Sequence, residues 1–240
     1  MSASEDKRDA VRRVARARRA SALARVAIAV CGIVVFMTSD ASARRPAQES
    51  PPTEVAQALA EARPGKIPVL RGTVIDVIDG DSVEVQLQSG RIEVRLHAAD
   101  APEHDQPGGR AAARALRKRL PRGSDVILEP VEQDQYDRLV AVIERNGESV
   151  NAWMVQQGHA WTYRQYTTDA RYCRWEDAAR AAHRGLWSGT PKDWVAPWDW
   201  RRRAREPGYR PADRSRETLA DCLASLRHRR GKAAGARAPR

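Results

Sequence analysis

The chain has 240 residues, of which 42% are hydrophobic and 30% are charged, a composition that excludes a wholly disordered protein. Its 42 Lys and Arg side chains against 31 Asp and Glu give a formal net charge of +11, and its three cysteines are too few for a fold built on disulfides. No apolar run reaches the about 18–20 residues of a membrane-spanning helix, which argues against an integral membrane domain.

The positive charge is concentrated at the two ends of the chain. Residues 1–43 hold 8 basic and 4 acidic side chains, and residues 201–240 hold 13 basic and 4 acidic side chains. Residues 44–200, in contrast, hold 21 basic and 23 acidic side chains. Binding of nucleic acid by the middle of the chain therefore has to depend on particular residues. The arginines from Arg201 onward are expected to add long-range attraction for phosphate, with a solvated basic tail as the alternative.

The N-terminus has the pattern of an export signal. Arginines crowd ahead of the apolar run Val26–Met37, and Ala41-Ser42-Ala43 follows it. This pattern predicts a signal peptide over residues 1–43, cleaved after Ala43, and a periplasmic or secreted mature protein. The alternatives are an uncleaved N-terminal membrane anchor and a short buried helix.

Two cysteines remain after the predicted cleavage. Export would place Cys173 and Cys222 in an oxidising compartment. We predict that they form a disulfide that ties the C-terminal segment to the domain, with two free thiols as the alternative.

Hydrophobic periodicity and turn residues divide the mature chain into elements. Residues 44–67 are interpreted as a linker with a short helix at Glu54–Ala62. Strands are predicted at Val69–Ile78, Ser82–Gln88, Arg91–His97, Asp125–Glu132 and Arg138–Glu144, and helices at Gly108–Leu120, Val150–Gln157 and Asp169–Arg184. This order predicts an α+β fold, mainly a β barrel: a five-stranded OB barrel with three packed helices over residues 68–200. Residues 201–240 are predicted to form a basic helical extension, with one helix at Arg214–Arg227 and a disordered end.

Acidic residues and arginines recur where the predicted strands begin and end. Asp81, Asp100 and Glu103 are expected to converge at one rim of the barrel, and carboxylate oxygens are preferred ligands of calcium and magnesium. Arg95 and Arg138 would bind phosphate oxygens and stabilise the charge of a transition state, while a spare carboxylate would orient or deprotonate water. Singly, these residues are better explained as strand-ending turns and solvated ion pairs, but together they indicate phosphoryl transfer.

Five stretches resemble the staphylococcal nuclease-like (thermonuclease) family in their order and spacing. They are VIDVIDGDSVEV, VRLHAADAPE, DQYDRLVAVI, GESVNAWMVQQGHAW and EDAARAAHRGLW. The resemblance extends from Arg71 to Trp187, roughly half of the chain. It implies an OB barrel and a calcium-dependent phosphodiesterase that acts on DNA and RNA. Cleavage of the P–O5′ bond, leaving 3′-phosphates, is also implied.

The same resemblance assigns roles to residues. It implies catalytic positions at Arg95, Glu103 and Arg138, calcium ligands at Asp81, Asp100 and the Ala101 carbonyl, and nucleotide contacts at Tyr136, Tyr163 and Tyr166. No stable protein partner is implied, and a monomer is expected. The tryptophans between residues 153 and 200 are assigned to packing rather than to base stacking.

Some features depart from the family pattern. Asp137 stands where a glycine commonly precedes the second arginine, and its carboxylate either pairs with Arg138 or faces solvent. A lysine-rich substrate loop found in part of the family is absent. A rival hypothesis is a noncatalytic OB module that binds nucleic acid or protein in the cell envelope, but the retained charged residues favour the enzyme.

The charge pattern adds a prediction about the C-terminal segment. Because the long-range attraction for a polyanion is assigned to these arginines, we predict that truncation after Trp200 raises KM for long DNA and leaves kcat nearly unchanged.

Overall fold

The structure, a computed structural model, describes residues 53–62 and 68–226. The predicted signal peptide over residues 1–43 and the predicted disordered end beyond residue 226 lie outside these ranges. Within the described ranges, no helix is long and apolar enough to cross a membrane.

Five strands form the closed barrel that the sequence predicts. They are β1 (Leu70–Val77), β2 (Ser82–Leu87), β3 (Gly90–Leu96), β5 (Asp125–Gln133) and β6 (Leu139–Arg145). β1, β2 and β3 form an antiparallel meander, β1 also pairs with β5, and β5 pairs with β6. A parallel pairing of β3 with β6 closes the barrel. The OB-fold prediction is therefore confirmed.

The barrel interior follows from the alternation of the strand sequences. Val83 and Val85 of β2 point inward with Val74 and Val94, and all four are buried. The barrel strands bend at irregular pairings, one in β1 and one in β5 next to Pro130, which has no N–H to donate to the ladder. The pairing of Ser82 with Arg95 and of Val94 with Leu139 places the start of β2, the end of β3 and the start of β6 at one rim.

Six helices accompany the barrel in the described ranges. They are α1 (Thr53–Glu61), α2 (Gly109–Arg119), α3 (Val150–Gln156), α4 (Ala170–Ala181), α5 (Pro197–Arg205) and α6 (residues 219–226). Three two-residue strands, β4 (Ala99–Asp100), β7 (Glu148–Ser149) and β8 (Trp161–Thr162), complete the set. Side chains cap the N-termini of α3 and α4: the Ser149 hydroxyl accepts from Ala152 N at 3.2 Å, and the Asp169 carboxylate accepts from Arg171 N at 2.9 Å.

Two helices differ from the sequence prediction in place or in packing. α1 lies in the predicted linker, but it packs on the barrel because Val55 and Ala58 are buried in the core. α6 begins at residue 219, later than the predicted Arg214. Thr218 and Asp221 exchange hydrogen bonds between their side chains and backbone N–H groups, which fixes the helix start there.

The segment after the barrel packs against it. Trp161 and Trp187 are buried, and Trp194 and Trp198 pack on them, as the packing assignment predicts. The Arg180 guanidinium lies 4.3 Å from the centre of the Trp187 ring. α5 crosses the predicted domain boundary at Trp200.

The predicted disulfide is confirmed. Cys173 of α4 is bonded to Cys222 of α6, with 5.8 Å between their Cα atoms. Leu226 is buried beside them, and Leu219 packs on the same cluster. The chain therefore remains attached to the domain as far as residue 226.

Candidate active site

A cleft of about 560 Å³ opens at the barrel rim. Its lining includes every predicted site residue except Asp100: Asp81, Arg95, Ala101, Glu103, Tyr136, Arg138, Tyr163 and Tyr166. Asp100 is buried directly behind the lining and is hydrogen bonded to two of its arginines. Arg201 and Arg205 also line the cleft, although the sequence analysis assigned them to a tail.

The turn between β1 and β2 positions Asp81. The Asp79 carboxylate accepts hydrogen bonds from the backbone N–H groups of Asp81 at 2.9 Å and Ser82 at 2.8 Å. Gly80 is required because a Cβ there would lie 2.6 Å from that of Ala101. The DGD sequence thus fixes an acidic side chain against the loop that carries Asp100.

The pairing of β4 with β8 positions Asp100. Asp100 is opposite Trp161 in this short ladder, and its side chain has no exposed surface. The next residue, Ala101, donates its N–H to Asp81 Oδ2 at 2.7 Å. The two predicted metal-binding aspartates are therefore joined through the backbone as well as through arginine.

Arg95 lies between the two aspartates. Its Nη1 donates to Asp81 Oδ1 at 2.5 Å and its Nη2 to Asp100 Oδ1 at 2.6 Å. Burial raises the pKa of Asp81 to about 7, outweighing Arg95, which acts to lower it. For Arg95 the balance is reversed: burial acts to lower its pKa, but Asp81 and Asp100 raise it above its ordinary value. Arg95 is therefore a fixed cation at the base of the cleft.

The loop between β5 and β6 presents Arg138. Its Nε donates to Asp134 Oδ2 at 2.8 Å, its Nη1 is 3.5 Å from Glu93, and its guanidinium is 5.3 Å from the centre of the Tyr136 ring. Asp134 also accepts hydrogen bonds from the backbone N–H groups of Tyr136 at 2.9 Å and Arg138 at 3.1 Å. Asp134 orders the loop and orients the guanidinium.

Asp137 has a backbone role. It is exposed and adopts a φ of 61°, a left-handed conformation that favours glycine and is tolerated by aspartate. The hydrogen bonds of Arg138 go to Asp134 instead, so the solvent-facing alternative for Asp137 is the one observed. The departure from the family glycine leaves the arginine in place.

Glu103 sits in a tight loop before α2. The Gln106 side chain accepts from Glu103 N at 3.2 Å, and it donates to Val195 O at 2.7 Å in the chain that leads into α5. Gly109 is needed here because a Cβ would lie 1.8 Å from the Glu103 carbonyl oxygen. The loop is therefore tied to the C-terminal segment.

Arg201 is the site residue that sequence reasoning missed. Its Nη1 donates to Asp100 Oδ1 at 3.0 Å and to Glu103 Oε1 at 2.7 Å, and its Nη2 donates to Asp100 Oδ2 at 2.8 Å. Part of the signal was present in the sequence: a proline is typical of the first position of a helix, which puts Arg201 on the same face as Pro197. The structure adds that Pro197 is buried, so that this face is turned towards the protein. Arg201 stands in a run of arginines, and such runs are usually solvated, so the sequence did not single it out.

The donor set fits a hard divalent cation in its chemistry. The buried side chains of Asp81 and Asp100 offer carboxyl oxygens, and the carboxyl groups of Asp81, Asp100 and Glu103 lie against the guanidinium groups of Arg95 and Arg201. No group of three or more His, Cys, Asp or Glu side chains is arranged to hold a metal ion within residues 53–62 and 68–226. The predicted calcium ligands include only two side chains of these types, Asp81 and Asp100, together with the backbone carbonyl of Ala101.

Comparison with known proteins finds one matching family and several similar proteins. The family described as staphylococcal nuclease homologue matches residues 93–189. An Escherichia coli O157:H7 protein described as an uncharacterized endonuclease is 38% identical over 135 residues, covering 56% of this chain and 86% of that protein. A micrococcal nuclease of Shigella flexneri is 36% identical over 146 residues, covering 56% of this chain and 82% of that protein.

The chain belongs to the staphylococcal nuclease-like family. The resemblance stated from sequence is therefore confirmed, and membership supports a nuclease function.

Proposed function

We propose that the protein is an exported, calcium-dependent nuclease that hydrolyses phosphodiester bonds of DNA and RNA. The observation that carries the proposal is the convergence of Arg95, Arg138 and Glu103 in one cleft beside the paired carboxylates of Asp81 and Asp100. A noncatalytic OB module would have no need of this combination.

Each charged residue has a role in the proposed reaction. Arg95 and Arg138 bind oxygens of the scissile phosphate and stabilise the negative charge that grows on it as water attacks. Glu103 orients the attacking water and accepts its proton. The bond proposed to break is P–O5′: the departing O5′ takes up a proton from solvent and becomes a 5′-hydroxyl, and the other product keeps a 3′-phosphate.

The proposed metal site is formed by Asp81, Asp100 and the Ala101 carbonyl. Calcium bound there would supply positive charge that polarises the phosphate. Tyr136, Tyr163 and Tyr166 line the same cleft and are proposed to contact the nucleotide.

Nuclease assays test the activity directly. The mature protein should cleave denatured DNA and RNA in calcium, lose cleavage with excess chelator, and regain it when calcium is restored. Chemical analysis of the ends should find 3′-phosphates. Among the variants, Arg95→Ala tests the proposed site, and Arg91→Ala is its matched control because it removes an exposed arginine of the same strand. Absence of cleavage with every divalent cation, together with retained nucleic acid binding, would favour the noncatalytic module.

Export is a separate part of the proposal. The Cys173–Cys222 disulfide supports it because such bonds persist mainly in oxidising compartments. N-terminal sequencing of protein from the periplasm or medium should begin at Arg44. An intact Met1 on membrane-bound protein would instead establish the anchor.

A further inference from the structure

The C-terminal segment inserts a third arginine into the proposed active site. Arg201 of α5 makes two hydrogen bonds to Asp100, at 2.8 and 3.0 Å, and one to Glu103 at 2.7 Å. Its Nη2 also lies 3.5 Å from the Tyr163 hydroxyl. The guanidinium therefore bridges a proposed metal ligand and the proposed general base.

This contact differs from an ordinary surface ion pair. The Asp100 side chain is 0% exposed and that of Arg201 is 28% exposed, so water competes little for the bidentate contact. Glu103 is 36% exposed and would have several rotamers available without a partner. Arg201 restricts the Glu103 carboxylate to one place beside Asp100.

Several independent contacts hold α5 in position. Asp199 accepts from the Tyr209 hydroxyl at 2.6 Å and pairs with Arg214 at 3.2 Å. Arg214 also pairs with Glu217, which is in turn bonded to Arg164 of the barrel domain. The disulfide anchors the helix that follows. Arg201 is thus directed into the cleft by a packed segment.

We propose that Arg201 is a positioning residue of the active site, which fixes Glu103 for its work on the attacking water. This inference rests on the proposed nuclease function. Loss of Arg201 should lower kcat, since Glu103 loses its fixed position, and should leave KM nearly unchanged, since Arg95 and Arg138 still bind the phosphate.

The charge of Arg201 has a second consequence. It adds a positive charge beside Asp100, which opposes the approach of a divalent cation to that carboxylate. Removing this charge should therefore strengthen calcium binding while it weakens catalysis. A residue that only supports the fold would weaken both.

The test compares Arg201→Gln and Arg201→Lys with Arg203→Gln. Arg203 lies on the same helix and is exposed, so its replacement makes the same change in net charge away from the cleft. Rates are measured on a short single-stranded oligonucleotide at saturating calcium, and calcium affinity is measured by titration calorimetry. Thermal unfolding is recorded for each variant.

We expect Arg201→Gln to lower kcat by about 10–100-fold, with KM within about twofold of wild type, and to bind calcium more tightly. Arg201→Lys should retain the wild-type calcium affinity but recover only part of kcat, because an ammonium cannot reproduce the bidentate geometry. Arg203→Gln should match wild type in kcat and in calcium affinity.

Two results would overturn the inference while the proposed function survives. One is an active wild type with kcat unchanged in Arg201→Gln. The other is a joint loss of kcat, calcium affinity and thermal stability in both Arg201 variants, which would show a role in folding. A wild type that neither binds calcium nor cleaves under any metal condition would overturn the proposed function and this inference with it.

Discussion

The barrel rim and the C-terminal segment supply the cleft with charge in two different ways. At the rim, Asp81 and Arg95 are placed by paired strands and a tight turn, and neighbouring backbone N–H groups fix their geometry. In the C-terminal segment, Arg201 is placed by a helix that reaches the barrel only through tertiary contacts and a disulfide. The contacts of Arg95 with Asp81 and Asp100 join residues 14 and 5 positions apart in the sequence. The contacts of Arg201 with Asp100 and Glu103 join residues 101 and 98 positions apart.

The largest expected effect is at the rim. Arg95→Ala removes the proposed phosphate-binding donor and leaves the buried side chains of Asp81 and Asp100 without their shared partner. We expect kcat to fall by about 10²–10³-fold, measured in single-turnover assays at saturating calcium. Arg91→Ala should retain the wild-type rate, and an equal loss in both variants would contradict a specific role for Arg95.

Removal of the disulfide tests how much this bond contributes to holding the C-terminal segment on the domain. Replacing Cys173 and Cys222 with serine opens a loop with a sequence separation of 49 residues. The free energy of unfolding should fall by up to about 4 kcal/mol, measured by urea denaturation of protein purified without reductant. If the midpoint is unchanged, the ion pairs of Glu217 and Asp199 hold the segment by themselves.

The sequence predicted the rim much better than the segment, and the reason is physical. Strands such as β2 alternate regularly, and the DGD turn and the later glutamate lie close to strand ends, so their convergence follows from the fold. Arg201 belongs to a run of arginines whose usual state is solvated, and its contact with Asp100 depends on packing that spans 101 positions. The two-residue ladder of β4 and β8 is likewise too short to show periodicity.

Asp134 and Asp137 both lie near Arg138 in the sequence, but we expect only Asp134 to affect kcat. Asp134→Ala removes the partner that orients Arg138 and should lower kcat by about 10–100-fold. Asp137→Gly should leave the rate unchanged and alter stability by less than about 1 kcal/mol, since glycine accepts the φ of 61°. Rates and thermal unfolding measured on both variants check this, and a large loss of rate in Asp137→Gly would mean that Asp137 acts on Arg138.

The smallest expected effect concerns the outer arginines of α5. Arg205 lines the cleft, whereas Arg203 is exposed on the same helix. Arg205→Gln should reduce the log–log salt dependence of binding to long single-stranded DNA by about 0.7, the value of one phosphate contact. Arg203→Gln should leave it unchanged. Equal slopes for the two variants would show that the helix contributes only diffuse charge.

The most direct test of a positioning role for Arg201 is truncation of the mature protein after Trp200, assayed on a short oligonucleotide and on long DNA. We expect kcat to fall by at least about tenfold on both substrates, because Arg201 and the bond to Cys222 are lost together. Circular dichroism of the truncated protein should show that the barrel remains folded. An unchanged kcat, with only a raised KM for long DNA, would contradict the positioning role and make the segment a solvated source of attraction for the substrate.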